Sequence, residues 1–280
     1  MTIWISTRKI IRKIHLAVDG WIGILYTRQP SLARLSAQPH EHLKVDEFTD
    51  FIYSQKTHFK RFRVLPNYRN QSPATCDLKV YQDSLIYTFI LDNFPTGSRL
   101  LEIGGGESRV ISALKKQYEI WNLDKLEGVG FGPKELWTQA GFRFVQDYIG
   151  TFSSELPNDY FDLVFSISTL EHLPTDQANV DAVLADIHRL LKPGGFSLHC
   201  IDGLLYQKYY YVHPIVSAAY DQSLVSYSKI DFDTLFFDDD LWLLPSYAFY
   251  SRWYPLVKES IKTFGHPFSV NLLWQKSNVG

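Results

Sequence analysis

RLLEIGGGESRV, residues 99–110, reads as a strand, a glycine turn and the opening of a helix. Leu100, Leu101 and Ile103 form the apolar run of a strand covered on both faces. Gly104, Gly105 and Gly106 let the chain turn sharply and a ligand approach the backbone. Val110, Ile111 and Leu114 restart at helical spacing. A helix beginning at Ser108 aims unpaired N–H groups and a partial positive charge into the crevice at the strand's carboxyl end, where open α/β sheets bind ligands. A nucleotide-type cofactor is the first expectation. A structural turn without ligand is the alternative, because a glycine-rich turn alone is a weak signal.

The chain downstream strengthens the first reading. Tyr118 to Asp124 is a second strand, and it brings a carboxylate about twenty residues past the turn, the offset at which such folds bond a ribose diol. Phe142–Val145 is a short third strand leading into Gln146, Asp147 and Tyr148; Phe161–Ser168 is the fourth and Gly195–Ile201 the fifth. Between the last two, Val180, Val183, Leu184, Ile187, Leu190 and Leu191 share one helical face. Thr175 is the expected N-cap, and Pro193, Gly194 and Gly195 the stop. Alternating strands and helices predict a largely parallel sheet.

In order along the chain, LLEIGGGES, YFDLVFSISTLEHLP and LLKPGGFSLHCI resemble the motifs of class I methyltransferases that use S-adenosylmethionine, over residues 99–202. The resemblance implies a Rossmann-like, doubly wound, mainly parallel seven-stranded sheet whose last strand, FSVNLLW at 268–274, enters antiparallel. It implies S-adenosylmethionine as cofactor, with Glu102 on its methionine or ribose part and Gly104, Gly105 and Gly106 lining the adenosine. Asp124 would hold the ribose hydroxyls, Asp147 the adenine amine with Tyr148 as a ring contact, and Ser168 and Leu170 would close the pocket. Ser108 stands where the family often has a third glycine, which leaves the pocket's shape open. A nicotinamide dehydrogenase, the rival within the fold, needs glycine where this chain has Arg109, and its pattern does not account for LEHLP or LKPGG.

With 28 Lys plus Arg against 30 Asp plus Glu over 280 residues, the chain lacks the clustered surplus of cations that nucleic acid requires. Cys76 and Cys200 lack metal-ligand spacing, and they are consistent with a reducing, cytoplasmic setting. No metal site is expected: three adjacent carboxylates, Asp238 to Asp240, cannot all face one ion from regular structure, so a solvated turn is expected there. Ile3, Ile10, Ile11, Ile14 and Val18 share a helical face, with Arg8, Lys9, Arg12 and Lys13 mainly elsewhere. That segment, interrupted at Asp19 and Gly20, is not expected to be a secretion signal. Packing on the core, on the cofactor or on another subunit is its expected role; peripheral contact with an anionic membrane is the alternative. The expected organisation is an N-terminal extension at 1–76, amphipathic helix and loops, and a catalytic domain at 77–280. Within the latter, the aromatic-rich stretch 203–265 forms a substrate-side insertion or lid.

The resemblance makes the chain a methyltransferase for a small-molecule or glycan acceptor, with oxygen the favoured atom. A methyl group on a sulfonium is already activated, so alignment and exclusion of water are the protein's main tasks. An alcohol acceptor gains from a base at a strand's carboxyl end, and His172, His199 and Asp202 are the candidates, with His213 weaker. His172 could instead organise the LEHLP loop. His199 and Asp202 fall on opposite strand faces and are not read as a dyad. A non-catalytic cofactor-binding module or assembly partner, and a nucleotide-dependent oxidoreductase, remain the alternatives.

Overall fold

A computed structural model describes residues 42–66, 68, 71–128, 132–136, 141–206 and 209–278. The N-terminal amphipathic segment, and with it the membrane alternative, lies outside the described residues. The elements are α1 (Leu78–Asn93), β1 (Arg99–Ile103), α2 (Arg109–Leu114), β2 (Glu119–Leu123), β3 (Arg143–Val145), β4 (Phe161–Ile167), α3 (Gln177–Leu190), β5 (Leu191–Leu205), β6 (Tyr210–Tyr211), α4 (Ile215–Asp221) and β7 (His266–Gln275). Strands β3, β2, β1, β4 and β5 lie side by side and parallel, and β7 runs antiparallel along β5. The expected seven-stranded Rossmann-like sheet is therefore present. The extra strand is β6, a two-residue antiparallel partner of Leu204 and Leu205. No helix among the described residues is long and apolar enough to cross a membrane.

Both sheet faces are covered, which is why the strands read as continuous apolar runs. Leu101, Ile103, Trp121 and Val164 pack against Val180, Val183, Leu184 and Ile187 of α3. Leu100, Ile120, Leu163 and Phe165 pack on the other face against α1 and against Val110, Ile111 and Leu114 of α2. Each such aliphatic side chain, fully buried, contributes on the order of 1.5–3 kcal/mol. Leu43, Phe48, Phe51 and Phe62 enter the second of these cores, and Tyr53 bridges Val270 of β7. The described part of the expected N-terminal extension thus shares its core with α1. Residues 203–265 are likewise mostly packed: Trp242 and Phe249 are buried, whereas Tyr209, Tyr210 and Tyr211 stay exposed beyond β5.

Three local expectations are corrected. Asp176, not Thr175, caps α3, its carboxylate accepting Asn179 N–H at 3.2 Å; it immediately precedes the first helical residue and is among the strongest capping types. Pro193, Gly194 and Gly195 sit inside β5, where pairing shifts from Phe161↔Leu191 to Leu163↔Phe196. A Cβ on Gly195 would lie 2.8 Å from the Phe161 carbonyl oxygen, so only glycine fits this irregularity. Asp238–Asp240 is more than a solvated turn: Asp238 accepts the Tyr53 hydroxyl at 2.7 Å and Asp240 accepts Thr57 N–H at 3.2 Å, clamping the N-terminal segment. Among the described residues no group of His, Cys, Asp or Glu could hold a metal ion.

Candidate active site

Because β1 has β2 on one side and β4 on the other, the strand order reverses there, and the crevice beyond β1 and β4 is the natural ligand site. The glycine turn forms one wall. Gly104 and Gly106 have φ of 67° and 47°, in the left-handed region. Ser108 caps α2 as expected, its Oγ accepting Ile111 N–H at 3.1 Å. Arg109 explains its own presence at the position a dehydrogenase gives to glycine. Its Nε donates to Asp83 at 2.6 Å, and its guanidinium lies 5.3 Å over the Tyr68 ring, pinning α1 against the start of α2.

Two acidic residues flank the turn. Asp124 accepts Gly106 N–H at 2.9 Å and Leu126 N–H at 2.6 Å, one on each carboxylate oxygen, leaving about two of its four acceptor sites for another donor pair. Glu102 lies beneath Gly105 and is 3% exposed. A Cβ on Gly105 would lie 2.7 Å from Asn122 Oδ1 and 3.0 Å from Glu102 Cδ. Glu102 Oε2 and Asn122 Oδ1 are buried without a hydrogen-bond partner. Buried polar atoms are seldom left so, and these two fit a polar ligand seated on the turn.

Burial pushes the Glu102 carboxyl up from 4.5 to about 8, and the nearby Ser108 hydroxyl offsets only part of this. Between those values the folded protein keeps a proton that the unfolded chain has released, so stability falls as pH rises through the window. Without ligand, Glu102→Gln is expected to flatten this slope, which for one group reaches about 1.4 kcal/mol per pH unit. Urea denaturation of both proteins at pH 5 and pH 8 measures it; equal slopes would remove the buried-acid account of Glu102.

The opposite wall comes from the ends of β4 and β5 and from α1. Ser168, at φ 47°, leaves β4 in a conformation that costs a non-glycine residue energy, and its hydroxyl meets Gln82 Oε1 at 2.6 Å and Asp202 Oδ1 at 2.8 Å. Gln82 Nε2 donates to the same Asp202 oxygen at 2.8 Å and reaches Ser269 Oγ at 3.2 Å. One serine proton cannot fully serve both of its acceptors, and burial raises the Asp202 carboxyl. Thr169 then contacts the Gly104 carbonyl at 3.4 Å, and Leu170–His172 makes a single 3-10 turn. Lys79 Nζ is held by the Ile167 carbonyl at 3.0 Å.

The structure brings together Glu102, Gly104–Gly106, Asp124, Ser168 and Asp202. It removes His199 from that set. His199 is fully buried on the α3 side of β5, with Ser166 Oγ 2.8 Å from Nδ1, Ser197 Oγ 2.7 Å from Nε2 and the Trp274 ring against it; burial lowers its pKa to about 3. Strand alternation puts Asp202 on the other face, so no dyad forms. Leu170 is also wholly buried, in the α3 core, and its side chain does not line the pocket. His213 fastens the LEHLP turn, its Nε2 donating to the Leu173 carbonyl at 3.1 Å while Nδ1 accepts Ile215 N–H at 3.2 Å. His172 sits on that turn's exposed side. Asp147 caps its own turn by accepting Tyr148 N–H at 2.8 Å, and Tyr148 is exposed with Lys125 Nζ 5.1 Å over its ring.

Sequence reasoning missed Lys79, Gln82, Asn122 and Glu171. The run Gln82–Asp83–Ser84 offered a signal: polar residues across successive faces of an otherwise apolar helix, all three buried.

The methyltransferase domain family matches residues 101–198. No curated protein matches the chain. Among solved structures, a TehB-like S-adenosylmethionine-dependent methyltransferase from Corynebacterium glutamicum is 22% identical over 39% of this chain and 56% of its own, with a TM-score of 0.31. Phosphoethanolamine N-methyltransferase 2 from Haemonchus contortus, solved with S-adenosylhomocysteine, is 16% identical over 66% of this chain and 50% of its own, TM-score 0.39. An S-adenosylmethionine-dependent methyltransferase from Mesorhizobium loti is 19% identical over 38% and 47%, TM-score 0.30. This chain spans about half the length of each of these structures.

Proposed function

We infer, residues 101–198 belonging to the class I methyltransferase family, that this chain transfers a methyl group from S-adenosylmethionine to an oxygen of a small-molecule or glycan acceptor. The cofactor supplies a methyl group already activated on a sulfonium. The observation that carries the reading is the acidic pair around the glycine turn: Asp124, 2.9 Å from Gly106 N, and Glu102, with an orphaned oxygen beneath Gly105. In this reading Asp124 holds the ribose hydroxyls and Glu102 the methionine side. Asp147 and Tyr148 border the adenine. The backbone of Ser168–Leu170 borders the methyl group.

The acceptor enters from the β5 side. Oxygen is favoured because the carboxyls of Asp202 and Glu171 are buried in that wall; a carboxylate there draws an alcohol's proton as the new bond forms. Tyr209, Tyr210 and Tyr211, exposed beyond the end of β5, offer stacking surface for a sugar or an aromatic acceptor. Calorimetric titration with S-adenosylhomocysteine and, separately, NAD tests the cofactor assignment. Saturable binding of the first and none of the second is expected. Binding of NAD alone would move the chain to the oxidoreductases, and silence from both would end the reading.

A further inference from the structure

Glu171 poses the sharpest unexplained chemistry in the molecule. Both of its carboxylate oxygens are sealed from solvent, and no side chain among the described residues hydrogen-bonds to either; only the backbone N–H groups of Glu171 and Asp202 lie toward the carboxyl. A carboxylate that gave up water for nothing is costly, and native folds rarely keep one without use. Among its neighbours, Asp202 Oδ1 is occupied by Gln82 and Ser168, and Lys79 Nζ gives one of its three N–H groups to the Ile167 carbonyl. Glu171 lies two residues beyond Thr169, which touches Gly104, so it stands across the crevice from the glycine turn.

We propose that Glu171 is the proton acceptor for a hydroxyl-bearing substrate and Asp202 its charged partner, an inference that rests on the methyl-transfer reading above. The acceptor's O–H bond breaks and its proton passes to a Glu171 carboxylate oxygen. The acceptor oxygen bonds the methyl carbon as the S–CH3 bond of the sulfonium donor breaks, its electron pair staying on sulfur to leave a neutral thioether. Burial first, and the Asp202 charge second, push the Glu171 carboxyl well above the ordinary carboxylate range, the direction that suits a base working near neutral pH. The charged and titratable groups facing it are Asp202 and Cys200 from β5 and Lys79 from α1. A cationic donor beside the two carboxyls favours their charged forms and so drives protons off them.

That consequence is measurable without knowing the acceptor. Calorimetric titrations in two buffers of different ionisation enthalpy, at pH 7, give the protons released when S-adenosylmethionine or neutral S-adenosylhomocysteine binds. Wild type is expected to release more with the sulfonium, by roughly a few tenths of a proton, because a nearby positive charge lowers a carboxyl's pKa. Glu171→Gln should reduce that difference, the share that falls on Glu102 remaining, and keep S-adenosylhomocysteine affinity within about threefold. It should also melt at or above the wild-type temperature at pH 8, since it removes a buried carboxyl that faces the charge of Asp202. Asp202→Asn should shrink the difference as well, giving a second variant if the first folds poorly. Equal proton release for the two ligands in wild type, or an undiminished difference in Glu171→Gln, overturns the inference and leaves the cofactor assignment standing. Failure of the folded wild type to bind either ligand overturns the methyl-transfer reading itself, and the inference with it.

Discussion

Asp124→Ala is expected to weaken S-adenosylhomocysteine binding by about 100-fold or more, because a carboxylate holding two ribose hydroxyls makes two charge-assisted hydrogen bonds of about 1.5–3 kcal/mol each. The geometry adds to this loss. Asp124 also fixes Gly106 N–H and Leu126 N–H, so the alanine variant frees the backbone at the centre of the turn. Asp124→Asn separates the two contributions, since its amide oxygen can keep one backbone bond but has neither the charge nor the second acceptor. An intermediate loss, on the order of tenfold, is expected for it. Isothermal titration of the three proteins, each with its thermal melt, makes the comparison. A wild-type affinity for Asp124→Ala with an unchanged melting temperature would show that no ligand group rests on this carboxylate.

Gly104→Ala is expected to cost about 2–5 kcal/mol of stability, combining a left-handed conformation at about 1–2 kcal/mol with overpacking at about 1–3 kcal/mol. At φ 67° its new Cβ would fall 2.1 Å from Thr169 Cγ2 and 2.5 Å from Thr169 Oγ1. Thr169 is β-branched and also meets the Gly104 and Ile167 carbonyls, so it cannot simply rotate aside. Adding Thr169→Ala should recover part of the loss, because the two nearest atoms vanish while Thr169 Cβ, at 2.9 Å, remains the position of alanine's own Cβ. Chemical denaturation of the two single variants and the double variant gives the coupling directly, expected at about 1 kcal/mol or more for residues in contact. A Gly104→Ala protein as stable as wild type would mean that the turn relaxes freely, and that close approach does not explain the glycine.

The two changes bear on the two walls of one crevice. Gly104 touches Thr169, Thr169 leads to Glu171, and Ser168 reaches Gln82 and Asp202. Substitution at the turn is therefore expected to disturb both the cofactor floor and the carboxyl wall, whereas Asp124 bears on the floor alone.

The sequence by itself determined the sheet and its turn. Leu100, Leu101 and Ile103 had to be a strand buried on both faces, Gly104 and Gly106 had to permit positive φ, and Ser108 had to cap the following helix. These are local demands, met within a few residues by strand alternation, backbone sterics and capping. Asp124 was legible for the same reason, its place following from the end of the second strand, whereas Glu102 was singled out by the resemblance of LLEIGGGES to the methyltransferase motif. What only the tertiary structure decided was which polar side chains meet. His199 looked available from its place near the end of the fifth strand, yet β7 and Ser166 of β4 enclose it. Glu171 stood beside the histidine of the LEHLP stretch, but its burial against Asp202, far along the chain, and the lack of a side-chain donor to its oxygens come from packing alone. Gln82 became part of the site only because α1 packs over the ends of β4 and β5. Burial and pairing are properties of surfaces brought together over long sequence separations, and no local periodicity encodes them.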